Sequence, residues 1–380
     1  MSASNAIAAT YYWVGSSGGN TSSSSSWSTT NPSSCSGGGA GTPGSSDTVI
    51  FDPDCDNNAT IDADLSVTSL TIQSGYTGTI TQSTGITLTV GASGFTQSGG
   101  TFAGGNGTID INGNLSVSAG TFTSTSGTLS VEESLLITGG TFTHNSGTVT
   151  MDGSFVGNTS LDASGVTFNL VTFNRSILST GSSKTLTIVA GTTIPLGDSP
   201  TVTLINTASG RYYHLNNYGT LLVGTGTFVH AIAGVLRNYG TIISKTTTRN
   251  DGGYSINQFS NLAGSTIEFR GDGDGAADSQ AISGFGTSYV NLVINATDGT
   301  TDTFTSSSTL TISESLTLTA GTVSAPATIN VAGNFARTGA TFTHNNGTVV
   351  LNGTSQTISG STTFGSLSKT VAAADTLTFT

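Results

Sequence analysis

Between Gly100 and Asn158 a pattern of apolar and polar positions occurs three times without a gap, at a period of about 20 residues. Apolar and polar residues alternate within each copy, as in Ile109-Asp110-Ile111 and Val149-Thr150-Met151. This alternation is the period of a β-strand and not of a helix. The apolar residues form four columns: Phe102, Phe122 and Phe142; Ile109, Leu129 and Val149; Ile111, Val131 and Met151; Leu115, Leu135 and Phe155.

The columns predict an all-β fold, a parallel β-solenoid (β-helix) of roughly 16 coils with about 20 residues in each coil. Equivalent strands then stack from coil to coil, and each coil buries its two flat faces against its neighbours. Asn106-Gly107, Ser126-Gly127 and Ser146-Gly147 separate the apolar positions. We expect these pairs to form tight turns with positive φ angles. The pattern leaves the handedness of the coil open.

The regularity of the pattern divides the chain into zones. Residues 1–60 contain both tryptophans, Trp13 and Trp27, and lack the repeat, which predicts an N-terminal cap over the first coil. Residues 61–380 are predicted to form the solenoid. Its least regular zone, about 206–295, is expected to carry longer loops. The regular pattern returns at Ile312, and the segment that begins at Ala340 almost copies the one that begins at Gly140.

Composition limits the partners that the chain can have. Nine Lys and Arg face 21 Asp and Glu, for a net charge of −12, so nucleic acid is not an expected partner. Anionic membranes are disfavoured for the same reason. No run of 18 apolar residues occurs, so we expect no membrane insertion of this segment.

Cys35 and Cys55 are the two cysteines of the chain, and both lie in the predicted cap. In an oxidising compartment they would close a loop as a disulfide. Two unrelated buried thiols are the alternative.

The opening segment combines Trp13-Val14-Gly15, a second tryptophan at Trp27, a glycine-rich loop, and the run from Pro43 through Asp47 and Val49 to Phe51. This pattern resembles the start of large repetitive bacterial surface proteins of the adhesin and autotransporter-passenger type. Asn217-Tyr218-Gly219-Thr220 and Asn238-Tyr239-Gly240-Thr241 resemble the repeats of filamentous-haemagglutinin-like passengers. The resemblance implies an extracellular or bacterial cell-surface stalk, adhesin or assembling structural element.

Two groups of residues are candidate binding sites. Asp272, Asp274 and Asp278 are spaced around glycines, as oxygen ligands of calcium are; a solvated turn is the alternative. Tyrosines concentrate in the irregular zone and would suit surface glycans, or would pack against the coil; the candidates are Tyr212, Tyr213, Tyr218 and Tyr239.

No catalytic site is expected. His144 and His344 occupy repeated turns, and neither a Cys nor a close His lies at metal-ligand spacing from His214 or His230. Because parallel β-helices include polysaccharide-active enzymes, glycan cleavage is one alternative. It requires clustered carboxylates, yet the chain has no Asp-Asp pair, and Glu132-Glu133 lies within a repeat.

A second alternative is ice binding. The Thr121-Phe122-Thr123 and Thr141-Phe142-Thr143 segments would direct pairs of threonines outward on consecutive coils, as on the flat faces of some solenoid antifreeze proteins, although Ala103 interrupts the array.

The residues after 370 read as a strand with no polar cap. We expect this open edge to recruit a strand of a second molecule, so the predicted partner is the protein itself, through end-on association by residues 370 to 380.

Overall fold

The computed structural model describes residues 8–154, 157–177, 183–198, 200–206, 212–250, 259–297, 302–370 and 373–380. The chain is all-β, with parallel sheets stacked as a β-solenoid of about 14 turns and about 22 residues in each coil. The predicted fold class is therefore confirmed. The coils are fewer and longer than expected because several carry insertions that the regular repeat lacks. In the described part of the chain, helical structure is confined to two short 3-10 segments, Ser24–Ser26 and Ile282–Phe285.

The strands are numbered in chain order. The first half contains β1 (Thr10–Trp13), β2 (Gly19–Asn20), β3 (Trp27–Ser28), β4 (Thr48–Phe51), β5 (Ala59–Ile61), β6 (Leu65–Ile72), β7 (Thr79–Gln82), β8 (Leu88–Gln97), β9 (Thr101–Ala103), β10 (Ile109–Ile111), β11 (Leu115–Val117), β12 (Thr121–Thr123), β13 (Thr128–Val131), β14 (Leu135–Ile137), β15 (Thr141–Thr143), β16 (Thr148–Ser154), β17 (Thr159–Asp162), β18 (Leu170–Ile177), β19 (Lys184–Ile188), β20 (Thr193–Pro195) and β21 (Thr201–Asn206). The second half contains β22 (Tyr213–Asn217), β23 (Thr220–Val223), β24 (Phe228–Ile232), β25 (Leu236–Asn238), β26 (Thr241–Ser244), β27 (Arg249–Asn250), β28 (Phe259–Asn261), β29 (Thr266–Phe269), β30 (Ser279–Ala281), β31 (Ser288–Tyr289), β32 (Asn291–Asn295), β33 (Thr303–Thr305), β34 (Leu310–Ile312), β35 (Leu316–Ala320), β36 (Thr322–Ser324), β37 (Thr328–Val331), β38 (Phe335–Arg337), β39 (Thr341–Thr343), β40 (Thr348–Leu351), β41 (Gln356–Ser359), β42 (Ser366–Lys369) and β43 (Leu377–Phe379).

The chain forms two compact units. Unit 1 comprises Met1–Ile194 with Leu204–Arg211, and unit 2 comprises Pro195–Thr203 with Tyr212–Thr380. Within unit 1, a regular coil contributes three short strands, one to each face. Strands β10, β13 and β16 stack in parallel on one face, β11 and β14 on the second, and β9, β12 and β15 on the third. This three-strand coil is the unit that repeats in the sequence.

The interior of unit 1 contains the predicted columns. Ile109 pairs with Leu129 and Leu129 with Val149, and their side chains are buried. Phe102 and Phe122 are fully buried, with ring centroids 5.1 Å apart and an interplanar angle of 16°. The Phe142 ring continues the stack at 5.8 Å from Phe122. The phenylalanine column is confirmed, and Phe142 is less buried because β15 is the last strand of its sheet.

The fourth column differs from the prediction. Leu115 pairs with Leu135 as expected, but the next residue in the column is Leu161, from strand β17. Phe155, the predicted member, lies outside the described residues. A longer β16, which extends to Ser154, moves the following strand several residues later in the sequence.

The glycines of the turns act through close packing. Gly107 does not have a positive φ angle, contrary to the prediction; a Cβ atom there would collide with the carbonyl oxygen of Ile86 in the preceding coil. Positive φ occurs at one residue of the predicted pairs, Ser146, at 62°, and outside them at Asn145, at 49°, and Gly120, at 81°. The turns therefore need glycine where the backbones of successive coils approach most closely.

The N-terminal segment continues the sheets of unit 1. Strand β1 pairs in parallel with β4, and β4 pairs in parallel with β6, while β3 adds an antiparallel strand. Trp13 and Trp27 are fully buried, with ring centroids 5.3 Å apart. Their indole N–H groups donate to the carbonyl oxygens of Asn57 and Thr21. A disulfide joins Cys35 to Cys55, the pair expected from the sequence to close a loop.

Unit 2 is built in the same way. Strands β23, β26, β29 and β32 stack in parallel through the zone that is least regular in sequence, with Thr220, Thr241, Thr266 and Asn291 in one row. The prediction that coils continue there is confirmed. Later coils add a sheet of β30, β33, β36 and β39 and a sheet of β31, β34, β37, β40 and β42.

Candidate functional site

Strands β22, β25 and β28 of unit 2 lie side by side and place the candidate tyrosines. Leu215 pairs with Leu236 and Leu236 with Phe259, which fixes the register of the three strands. Side chains alternate between the core and the surface. Tyr213 is on the core side and is fully buried, so its ring does not reach a ligand at the surface.

The other tyrosines are accessible. Tyr218 is 44% exposed, and its ring stacks on Tyr239 with centroids 4.5 Å apart and an interplanar angle of 7°. Tyr212 is 41% exposed and lies over the His214 ring, at a centroid distance of 6.4 Å. The stacking covers one face of Tyr218 and one of Tyr239, so a ligand meets mainly their ring edges and hydroxyl groups.

A ladder of buried amides supports the Tyr218–Tyr239 pair from inside. Asn217 and Asn238 are fully buried, and each precedes one of the two tyrosines. The Asn217 side-chain amide donates to Oδ1 of Asn238 at 2.8 Å, and the Asn238 amide donates to Oδ1 of Asn261 at 3.2 Å. These bonds fix the corner of the coil from which the tyrosines project.

Arg237 lies at the centre of this surface. Its neighbours in register are Asn216 on β22 and Ser260 on β28, both uncharged. In the part of the chain that the structure describes, Arg237 forms no ion pair. We define the tyrosine face as Tyr212, His214, Asn216, Tyr218, Arg237, Tyr239 and Ser260.

At neutral pH, Arg237 supplies the charge of the tyrosine face. Burial, and secondly the Arg237 guanidinium, lower the pKa of the His214 imidazole. The His214 ring is therefore neutral at pH 7. Partial burial and the neighbouring Tyr239 raise the pKa of Tyr218, against the opposing effect of Arg237. Strands β22, β25 and β28 contain no Asp or Glu, so the face is positive in a strongly acidic protein.

The predicted calcium residues are only partly brought together. Carboxylate oxygens of Asp272 and Asp278 lie within 4.8 Å of each other and of a third carboxylate, Asp302, which is fully buried. Asp274 does not join them; its carboxylate accepts a hydrogen bond from the Ala276 N–H at 2.7 Å. Three converging carboxylates are chemically suited to a divalent cation. Lys245 lines the same hollow, and calcium at this position stays a prediction.

His144, Asp162 and Ser164 line one groove of unit 1, of about 560 Å³, beside strand β15. They do not form a catalytic triad. Nδ1 of His144 accepts a hydrogen bond from the Ser146 N–H at 2.8 Å, so the neutral ring carries its proton on Nε2. A triad base requires the opposite tautomer, with the proton on Nδ1. Nδ1 of His344 accepts the same hydrogen bond from the Asn346 N–H. Both histidines therefore stabilise the turns in which they lie.

Carboxylates also approach one another across the coils of unit 1. Asp110 lies outward on β10, where Asp152 and Glu132 of the following coils act on it electrostatically. The Ser130 hydroxyl donates to Asp152 at 2.6 Å. Burial is the largest cause that raises the pKa of Asp110, followed by the charge of Asp152; the Asn112 side chain acts in the opposite direction.

This raised pKa predicts a pH-dependent effect of Asp110→Asn. The folded chain holds the Asp110 proton more tightly than the unfolded chain, so the stabilisation is present at low pH and is lost as pH rises through the folded pKa. At pH 7 the ionised carboxylate is destabilising, and Asp110→Asn should raise Tm. At pH 3 the same substitution should leave Tm nearly unchanged. Thermal melts at both values test this, and a Tm that falls at pH 7 would contradict it.

No family model, no curated protein and no solved structure matches this chain. The described residues include no helix with the length and apolar character needed to cross a membrane.

Proposed function

We propose that this protein is an extracellular structural or adhesive component of a bacterial cell surface, a β-solenoid stalk that binds glycans through the tyrosine face. The proposed role is not catalytic. Its fold, a stack of in-register coils, is that of a structural repeat protein. The Cys35–Cys55 disulfide supports an oxidising location outside the cytosol.

One observation carries the adhesive part of the proposal. Large hydrophobic side chains of the described residues are exposed at only three positions, and two of them, Tyr212 and Tyr218, belong to the tyrosine face. Exposed aromatic rings beside amide and hydroxyl groups suit ligands that are part apolar and part hydroxylated, as sugars are. These groups lie on paired strands that buried amides support, so the surface is already formed before a ligand binds.

A glycan array tests the adhesive role. The protein should bind a subset of the glycans, and the double substitution Tyr218→Ala with Tyr239→Ala should lower that binding at least tenfold. Tyr12→Ala, in unit 1, is the matched control and should bind as the parent does. An array without binding, or a double variant that binds unchanged, would contradict the proposal. Antibody labelling of intact cells of the source organism tests the surface location.

The threonine columns favour a second candidate function, ice binding. On strands β7, β9, β12 and β15 of unit 1, the outward residues Thr79, Thr101, Thr121 and Thr141 are in register. The neighbouring column contains Thr81, Ala103, Thr123 and Thr143. The array is longer than the sequence predicted, because β7 adds a row. Threonines then repeat at about 4.8 Å across the strands and about 7 Å along them. Thermal hysteresis measured on the purified protein tests this candidate, and ice growth indistinguishable from that in buffer would exclude it.

End-on association stays a prediction. Strands β39, β42 and β43 are each the last strand of their sheet among the described residues, and Phe379 is 65% exposed. Such an edge presents unpaired backbone groups beside apolar side chains. Light scattering across a concentration series should show a mass that increases with concentration, and Phe379→Ser should reduce the increase. A constant monomer mass would contradict the prediction.

A further inference from the structure

We infer that the ligand of the tyrosine face is a saccharide that carries carboxylate groups, with Arg237 as the residue that binds the carboxylate. The inference rests on the proposed function and names its ligand class. The charge around Arg237 differs in sign from that of the chain as a whole. The chain has nine Lys and Arg against 21 Asp and Glu, yet the strands around Arg237 contain no acidic residue.

The surroundings of Arg237 fit an anionic ligand. The side chain is partly buried, and its neighbours in register, Asn216 and Ser260, are neutral hydrogen-bonding groups. A guanidinium presents its N–H donors in a planar fork that matches a carboxylate. Because the site is partly removed from water, a charge-assisted contact there is stronger than at a fully exposed arginine.

Arg270, another arginine of unit 2, differs in this respect. Arg270 pairs with Glu268 at 2.7 Å, and its charge is therefore already balanced within the protein. Arg237 has no such carboxylate partner in the described residues. A carboxylate group of the bound ligand would provide this partner for Arg237.

The observations favour a saccharide over an acidic peptide. Strand β25 pairs on both sides, with β22 and with β28, so its backbone offers no free edge for an added peptide strand. The available groups are side chains: the Tyr218 and Tyr239 rings and hydroxyls, the Asn216 amide and the Ser260 hydroxyl. Hydroxyl groups of a sugar can bond to several of them while its carboxylate meets Arg237.

The experiment compares oligogalacturonate with its methyl ester, which keeps the sugar ring and removes the charge. Calorimetric titration of the intact chain should show at least tenfold tighter binding of the acid form, reduced by raising NaCl from about 20 to 300 mM. Arg237→Gln should weaken binding of the acid form at least tenfold and leave the ester unchanged. Arg270→Gln is the matched control and should change neither.

The possible results separate this inference from the proposed function. If the ester or neutral array glycans bind as tightly as the acid form, the inference is wrong and the adhesive role stands. If neither the acid form nor any array glycan binds, both are wrong. If poly-glutamate binds as tightly as oligogalacturonate, the face recognises charge without recognising sugar, which also overturns the inference. Binding of the acid form alone, lost in Arg237→Gln, supports it.

Discussion

Replacing Phe122 by alanine is expected to lower the free energy of unfolding by about 3–5 kcal/mol, as for other fully buried phenylalanines. The ring is fully buried between Phe102 and Phe142, and it meets Phe95 edge-on at a centroid distance of 5.6 Å. Its removal leaves a cavity that in-register coils cannot close without breaking their hydrogen bonds. Urea unfolding of unit 1, followed by hydrogen exchange of its strands, measures the loss.

Thr123→Ala is the matched control for Phe122→Ala. Thr123 is the next residue on the same strand and points outward, so its substitution should change stability by about 0.5 kcal/mol or less. Equal losses for the two variants would show that the phenylalanine column does not support the core.

Removing the Cys35–Cys55 disulfide is expected to destabilise unit 1 by about 2–4 kcal/mol, the range typical of a loop of this length. The two residues are 20 positions apart, and the bond ties the irregular loop around Cys35 to the buried position of Cys55. The variant with Cys35→Ser and Cys55→Ala avoids placing a hydroxyl at the buried position. Its melting temperature should be several degrees below that of the parent.

Reduction of the parent protein provides the control for the disulfide. The parent treated with reductant should melt as the double variant does, and the double variant should be unaffected by the same treatment. A melting temperature that is equal in the oxidised parent and the double variant would contradict the assigned contribution of the bond.

The repeat made the regular coils predictable from sequence. Alternation assigned the inward positions, and the equal spacing of Phe102, Phe122 and Phe142 assigned their stacking, because a fixed period places equivalent residues directly above one another. Where an insertion changes the coil length, the period no longer determines the register. This is why the column above Leu135 continues with Leu161 and not with Phe155.

The candidate site was predicted less completely. The alternation of Tyr213 with Leu215 along the strand already implied that the Tyr213 side chain is buried. The enrichment of tyrosine in this zone did not show which tyrosines face the core. Asp302 could not be assigned to the Asp272–Asp278 cluster, because it comes from the following coil, and the irregular zone that holds Asp272 and Asp278 has no fixed period to set the register between the two coils. The role of Arg237 depends on which side chains surround it, and that follows from register between strands.

The buried side-chain amides also could not be predicted from the sequence, for a physical reason. Gln97 is fully buried in unit 1, and its side-chain amide donates to the carbonyl oxygens of Gly99, Gly100 and Thr121. A polar residue at an inward position interrupts the alternation in sequence. In the folded coil its amide donates to carbonyl oxygens at the corner between two strands, so the buried polar group is hydrogen-bonded.

Successive coils stack in parallel register at the period of the sequence repeat, and cysteine cross-linking tests this stacking most directly. Ser98 and Ser118 lie one coil apart with their hydroxyl oxygens 3.1 Å from each other. Thr138 follows in the next coil, where its N–H donates to Val117 just as the Ser118 N–H donates to Gln97. The Ser98→Cys/Ser118→Cys pair should therefore form a disulfide in air, detected by peptide mass mapping. The Ser98→Cys/Thr138→Cys pair spans two coils, about 9.6 Å, beyond the roughly 7 Å that a disulfide can bridge, and should stay reduced. Cross-linking of the second pair, or failure of the first, would contradict the stacked register.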